Sequence, residues 1–339
     1  MVSALMRRPV GFWRFIVALT LICGAPAALR AQGVGAPAGS MGSFQSMPSM
    51  GAPMMGGTSF NKQPDVDPAL SVTGTYVSFI DSAVPRNLVG MRFEALYRNQ
   101  QPMKSEYFHP KGGLPGSTGF PFVETRIDFQ ELTSYAEYSW TPWFSVFVEA
   151  PYRWLNPEIN ANRSGGGDMR YGLKLCTWSD EDIIATILLR LYQPSARSEA
   201  LGTSHWSVEP GILAAYRVTD QIHLEGEFRW WIPLNGSDFA GDLLRYGLGV
   251  SYGQKHSGVW YAPVVECVGW SVMSGKTMIA SSPTDFIVQD AHGQTIVNGY
   301  LGVRWGYGQH LDFYAGYGRS FTGDFWQRET YRFEVRFCY

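Results

Sequence analysis

Charged residues and cysteines are scarce in this chain, and long apolar runs are absent beyond its N-terminal region. Of the 339 residues, 17% are charged and 4 are Cys. Without a later window of about 18 apolar residues, a transmembrane helix in the mature chain is not expected. The formal net charge of −2 and the lack of a basic run argue against nucleic acid as a partner. The 6 His are scattered without metal-ligand spacing, so no metal or other cofactor is predicted.

The N-terminus has the layout of a secretory signal peptide. Arginines precede an apolar run from Phe15 to Ile22, and small residues follow it. The run is too short to serve as a membrane anchor. Residues 1–31 are therefore predicted to be a signal peptide, with cleavage after Ala27 or Ala31.

A low-complexity stretch follows at residues 32–70. It consists mostly of Gly, Ser, Pro and Met, without the periodicity of a strand or a helix. Such a stretch cannot bury enough apolar surface to offset the entropy of ordering it. It is predicted to be a disordered periplasmic linker.

From about Leu88 onward, apolar and polar residues alternate as they do in half-buried strands. In "IHLEGEFRWWI", the row from Ile222 to Ile232 is apolar, and the row from His223 to Arg229 is polar or charged. The abundance of aromatic residues and the 38 Gly also favour β-structure. Two of the predicted strands, 183–193 and 257–270, alternate poorly. Twelve strands are predicted, approximately at residues 88–98, 126–140, 143–154, 167–178, 183–193, 206–218, 221–233, 241–253, 257–270, 294–306, 310–321 and 328–339.

Short and long connections alternate between these strands. Junctions after even-numbered strands are short, such as "TP" at 141–142, whereas most of the others are long, such as 99–125 and 271–293. Short turns on one rim, long loops on the other and an even strand number are typical of a bacterial outer-membrane barrel. In lipid, only a helix or a closed sheet gives every main-chain N–H and C=O a partner. The predicted fold is all-β: a transmembrane, antiparallel, up-and-down β-barrel of about 12 strands over residues 88–339, with both mature termini in the periplasm.

Aromatic residues near the strand ends predict where the barrel meets the two membrane surfaces. The last strand ends on Tyr339, which resembles the C-terminal signal that the barrel-assembly machinery reads, although Phe is usual there. The predicted partners are therefore outer-membrane lipid, lipopolysaccharide, and the assembly and secretion machinery. The tryptophans expected in the two interfacial girdles are Trp140, Trp143, Trp154, Trp178, Trp206, Trp230, Trp270 and Trp305.

Three stretches resemble one known family. They are "GDMRYGLKL" at 167–175, "LYQPSARSEALG" at 191–202 and "VEPGILAAYRVTDQIHLEGEFRW" at 208–230. They are similar to the outer-membrane barrel family named for the meta-pathway of phenol degradation. The resemblance implies a secreted barrel that passes small, often aromatic, molecules. Within the first stretch, Asp168 and Gly172 are interpreted as turn and packing residues rather than as substrate ligands.

The polar row of each strand is predicted to face the lumen. Both charge signs occur in this set, which favours polar solutes or mutual pairing over selection of one ion sign. A narrow pore and an interior filled by salt bridges both remain open. The candidate lumen-lining residues are Arg92, Glu94, Arg98, Glu131, Glu137, Glu149, Arg153, Arg170, Lys174, Arg190, Glu209, Arg217, Glu225, Glu227, Arg229, Arg245, Arg304, Asp312, Arg332, Glu334 and Arg336.

Residues 71–87 lie just before the first predicted strand. They either enter the lumen as a partial plug or form a thirteenth strand.

The leading functional hypothesis is a passive channel for small molecules. The alternative is a structural or surface-binding barrel with a filled lumen, in which loops 99–125 and 271–293 form the contact surface. An enzyme is not expected. Ser204 and His205 are adjacent, and adjacent residues of an extended chain point opposite ways, which prevents a nucleophile–base pair.

Overall fold

A computed structural model describes residues 75–99, 119–196, 200–234, 236, 238–256, 258–282, 285–308, 310–322 and 326–339. The predicted signal peptide (1–31) and linker (32–70) lie outside these residues. No helix in the described part of the chain is long and apolar enough to cross a membrane. The described strands are β1 (Leu88–Asn99), β2 (Ile127–Thr141), β3 (Phe144–Pro157), β4 (Arg163–Gly166), β5 (Met169–Ser179), β6 (Ile183–Gln193), β7 (Ser207–Arg217), β8 (Ile222–Pro233), β9 (Leu243–Tyr252), β10 (Gln254–His256), β11 (Val259–Val272), β12 (Lys276–Ser282), β13 (Asp285–Asp290), β14 (Thr295–Tyr307), β15 (Leu311–Ser320) and β16 (Glu329–Cys338).

Twelve of these strands form a closed antiparallel barrel, which confirms the predicted fold. Going around the wall, the order is β1, β2, β3, β5, β6, β7, β8, β9, β11, β14, β15 and β16. The first and last strands pair along their length, from Leu88 opposite Cys338 to Tyr97 opposite Glu329. Because β9 also pairs with β11, the ring has no open edge.

The remaining strands lie at the two rims. The short β4 pairs with the end of β3, and β12 and β13 form a hairpin in the connection between β11 and β14. Both lie at the rim that carries the long connections, whereas β10 extends the opposite rim beside the start of β11. The strand ends agree with the predicted ones to within about three residues, as is usual for strands bounded by turn residues.

The outward row of side chains is apolar. Val265 is 55% exposed, Leu301 62% and Phe333 56%, whereas the next residue after each in the strand faces inward or is more buried. A continuous apolar surface of this kind is unfavourable in water and is what a barrel presents to acyl chains. The closed ring and this surface together make the strands membrane-spanning.

Tryptophans mark both rims of the outer surface. Trp140, Trp143 and Trp178 are exposed near the rim with short turns. Trp154, Trp206 and Trp230 are exposed near the other rim, and Trp305 is half-buried against Phe313 on the outer wall.

Trp270 differs from the prediction that it belongs to an outer girdle. Its side chain is only 4% exposed and packs inside the barrel against Trp326. On β11 the row that faces inward is itself largely apolar, so alternation alone does not distinguish its two faces.

Residues 75–87, called the inner segment below, form no strand and lie inside the barrel. The side chains of Tyr76, Val77, Phe79 and Ile80 are at most 5% exposed and belong to one apolar cluster with the inner face of β11. Further along, Ala83 packs on inward residues of β6. Both strands that alternate poorly in sequence, β6 and β11, therefore pack inner-face residues against this segment.

Tyr314 lies flat against the inner wall because the neighbouring positions are glycines. A Cβ atom at Gly302 would overlap the Tyr314 ring, whereas a Cβ atom at Gly166 would meet nothing within 4 Å. The close approach of the ring thus requires Gly302.

We expect Gly302→Ala to lower the free energy of unfolding by about 1–3 kcal/mol, because the tyrosine must leave its position. Urea unfolding of the detergent-solubilised barrel, followed by gel mobility without heating, measures this. Gly166→Ala is the matched control, and equal stability of the two variants would contradict the prediction.

Candidate functional site: the barrel interior

Most of the predicted lumen residues are buried inside the ring of strands. Several of their ion pairs join strands that are not neighbours in the wall, which only inward side chains can do. Arg92 of β1 reaches Glu149 of β3 at 3.9 Å, for example. The residues so placed, buried or half-buried, are Arg92, Glu94, Glu131, Glu137, Glu149, Arg153, Arg170, Lys174, Arg190, Glu209, Glu225, Glu227, Arg229, Arg245, Arg304, Asp312, Arg332, Glu334 and Arg336.

Two predicted lumen residues lie at the rims instead. Arg98 is exposed, with a φ of 56°, because the pairing of β1 with β2 is irregular between Leu96 and Asn99 and the alternation breaks there. Arg217 ends β7 at the other rim, where its Nε lies 3.2 Å from the Asp182 carboxylate in a short turn. Neither side chain reaches the charged interior.

One continuous network of ion pairs crosses the interior. Arg190 donates to Asp81 at 2.9 Å and to Glu149 at 3.2 Å, and Arg229 donates to the same Asp81 carboxylate at 2.9 Å. Glu149 also accepts from Arg170 at 3.0 Å. Because each carboxylate has at least two cations, the charges largely neutralise one another in a space with little water. Asp81 thus ties the inner segment directly to β6 and β8, and through Arg190 to Glu149 of β3.

A second group of charges lies between β14, β15 and β16. The Arg304 guanidinium, 0% exposed, contacts the carboxylates of Asp312 and Glu334. It also donates to the main-chain oxygens of Tyr76 at 2.9 Å and Val77 at 3.0 Å. This one side chain therefore joins three strands to the inner segment.

Two interior acids were missed by the sequence prediction. Glu266 is 1% exposed and accepts hydrogen bonds from the inner segment, but it lies on β11, where both faces are apolar. Asp81 lies before the first strand, where alternation gives no guidance. A lone acid in the apolar stretch "VVECV" is the signal that identifies Glu266.

Two cavities border the inner segment within the described part of the chain. One, of about 110 Å³, lies toward the long-loop rim and the other, of about 70 Å³, toward the short-turn rim. Five residues line both: Ser78, Asp81, Arg92, Glu149 and Arg190. The same ion cluster beside the segment therefore lies between the two spaces, and it is called the constriction below.

Asp168 and Gly172, from the stretch "GDMRYGLKL", have structural roles. The buried Asp168 carboxylate accepts hydrogen bonds from the main-chain N–H groups of Thr203, at 2.7 Å, and Ala196, at 3.2 Å, and so holds the loop between β6 and β7. A Cβ atom at Gly172 would overlap the Phe147 ring. Asp168 nevertheless also borders the larger cavity.

Comparisons with known proteins extend to the fold alone. No protein-family model and no curated protein matches the sequence. Three solved structures illustrate the likeness. The NanC porin is 11% identical with a TM-score of 0.44, over 74% of this chain and 100% of that one. An outer membrane channel from Pseudomonas putida F1 is 13% identical with a TM-score of 0.48, over 75% and 94%. LpxR from Salmonella typhimurium is 9% identical with a TM-score of 0.42, over 74% and 100%.

We expect Arg304→Met to destabilise the folded barrel by about 3–5 kcal/mol, because it leaves the buried Glu334 carboxylate without its cation. Asp312 keeps its second cation, Arg336. Arg217→Met, at the rim, is the matched control and should cost no more than about 1 kcal/mol, as for an exposed pair. The midpoints of urea unfolding in detergent compare the two. A smaller effect at Arg304 than at Arg217 would contradict this interpretation of the interior.

Proposed function

We propose that this protein is an outer-membrane channel that passively conducts small molecules past the inner segment. The observation that carries the proposal is that the two interior cavities share the residues of the constriction. A solute that passes from one cavity to the other must therefore displace only this ion cluster beside the inner segment. The apolar outer face, the two tryptophan girdles and the closed ring support placement in an outer membrane.

Orientation follows from the connections. In outer-membrane barrels the short turns face the periplasm and the long loops face outward. We therefore infer that the rim carrying Leu88 and Tyr339 is periplasmic, together with both mature termini, and that the predicted signal peptide directs secretion. Outer-membrane lipid, lipopolysaccharide and the barrel-assembly machinery remain the proposed partners.

The lining of the larger cavity favours a small aromatic solute with polar substituents. Rings of Phe79, Phe129, Tyr192 and Trp270 border this cavity together with arginines and carboxylates. Aromatic faces stack on planar solutes, and the charged groups bind polar substituents. Membership in the outer-membrane family named for the meta-pathway of phenol degradation, proposed from the sequence resemblance, is consistent with such a solute.

Single-channel recording in planar bilayers tests the proposal. We expect the purified barrel to give discrete, steady conductance. Removing the constriction pair with Arg92→Ala and Glu149→Ala should raise this conductance, because two side chains that lie between the cavities are removed.

The matched control is Arg217→Ala with Asp182→Ala, which removes an ion pair at the rim and should leave conductance unchanged. The alternative, a structural or surface-binding barrel, is favoured by the many hydrogen bonds that hold the inner segment. Folded wild-type protein that never conducts, with a double constriction variant that is equally silent, would establish that alternative and overturn the channel.

A further inference from the structure

The main-chain N–H groups of the inner segment are bound by carboxylates of the wall. Glu225 accepts from Tyr76 at 3.0 Å and from Val77 at 3.4 Å. Glu266 then accepts from three successive residues, Ser78 at 3.2 Å, Phe79 at 2.8 Å and Ile80 at 3.0 Å. Asp81 donates to Glu227 at 3.0 Å. Six consecutive N–H groups thus meet only carboxylates, and those of the bend at 78–80 converge on one anion as in a main-chain nest.

The main-chain oxygens of the same stretch are bound by arginines. Arg336 donates to the oxygen of Thr75 at 3.2 Å, and Arg304 donates to those of the next two residues. The oxygens of Ser78 and Phe79 accept from Arg332 and Arg245, respectively. Five consecutive carbonyl groups therefore have charged donors, and charge-assisted hydrogen bonds of this kind are among the stronger ones in proteins.

The side chains of the segment fill fixed apolar positions. The Phe79 ring stacks on Tyr300 with centroids 3.7 Å apart, and the Arg332 guanidinium lies 3.7 Å from the centre of the Phe79 ring. Tyr76 packs edge-on against Trp260 at 5.7 Å. The wall therefore contacts the side chains of Tyr76 and Phe79 as well as the main chain between them.

Two of the wall carboxylates have the inner segment as their main partner. Within the described part of the chain, neither Glu225 nor Glu266 forms an ion pair within 4.0 Å, unlike Glu227, Glu149 or Glu334, and Glu266 has only the Tyr314 hydroxyl besides the segment. A buried carboxylate without hydrogen-bond donors is strongly unfavourable. These two positions are therefore suited to a peptide main chain and not to an empty lumen.

We propose that the barrel interior is a binding site for a short bent peptide and that residues 75–81 are its resident ligand. The ligand class is a peptide with free N–H groups at consecutive positions and an aromatic residue where Phe79 lies. Since the contacts are non-covalent, a second peptide of the same kind competes with the resident one. This proposal goes beyond the channel function, since it concerns binding of a peptide and does not require that any solute crosses the barrel.

The experiment uses the full-length chain with its own segment weakened. Phe79→Ala removes the stacked ring, and Ile80→Pro removes one N–H group from Glu266. A fluorescein-labelled synthetic peptide of residues 75–82, "TYVSFIDS", is titrated into this double variant in detergent, and anisotropy is recorded. We expect saturable 1:1 binding. Wild-type protein should bind at least about tenfold more weakly, because the tethered segment competes at high effective concentration.

The matched control is the same peptide with proline at the position of Ile80. It keeps the aromatic residues but loses one charge-assisted hydrogen bond. Its affinity for the double variant should therefore be at least about tenfold lower than that of the native peptide. No saturable binding, or equal affinities of the two peptides, overturns the proposal.

A second measurement does not depend on the double variant. In wild-type protein, amide hydrogen exchange of residues 76–80 is followed with a large excess of either unlabelled peptide. The proposal requires these amides to exchange faster in the presence of the native-sequence peptide than in the presence of the proline peptide. Equal exchange rates with the two peptides overturn it.

Discussion

The structure depends on one requirement: main-chain polar groups that are removed from water must find partners. In the wall, strands satisfy it for one another, and the pairing of β1 with β16 and of β9 with β11 leaves no edge. The inner segment cannot use that solution because it is bent and joins no sheet. Its partners are side chains instead, with carboxylates for the N–H groups and guanidinium groups for the oxygens. The same requirement thus produces a regular wall and an irregular, charge-lined interior.

This arrangement also explains why the lumen contains both charge signs. An N–H group needs an anion, a carbonyl oxygen needs a cation, and a peptide presents the two in alternation. Arginines that are not engaged with the main chain neutralise neighbouring acids, as Arg170 does with Glu149. A ring of one sign would leave half of the segment's polar groups without partners. The mixture of charges is therefore as much a consequence of the occupant as of any solute.

The fold was readable from the sequence because lipid enforces a strict alternation on every strand that has a polar inner face. The failures have three causes. On β11 the inner row is largely apolar because it packs on the inner segment, so Glu266 and the inward Trp270 were not recognised. Arg98 was misplaced because a local irregularity shifts the alternation, which no single-sequence pattern reveals. Asp81 was missed because an irregular segment has no period. Contacts between distant parts of the chain, such as Asp81 with Arg190, are not encoded in local spacing.

The path of the inner segment has a mechanical consequence. One end lies near the short-turn rim, where Tyr76 contacts His223 and Trp260, and the other returns there, where the Asn87 oxygen accepts from Tyr339. Only the middle, around Asp81, reaches deep into the barrel. A force that pulls the N-terminal side toward that rim would break the contacts one after another. The force needed is then only the force that breaks a single contact. The same force directed through the barrel would strain them simultaneously.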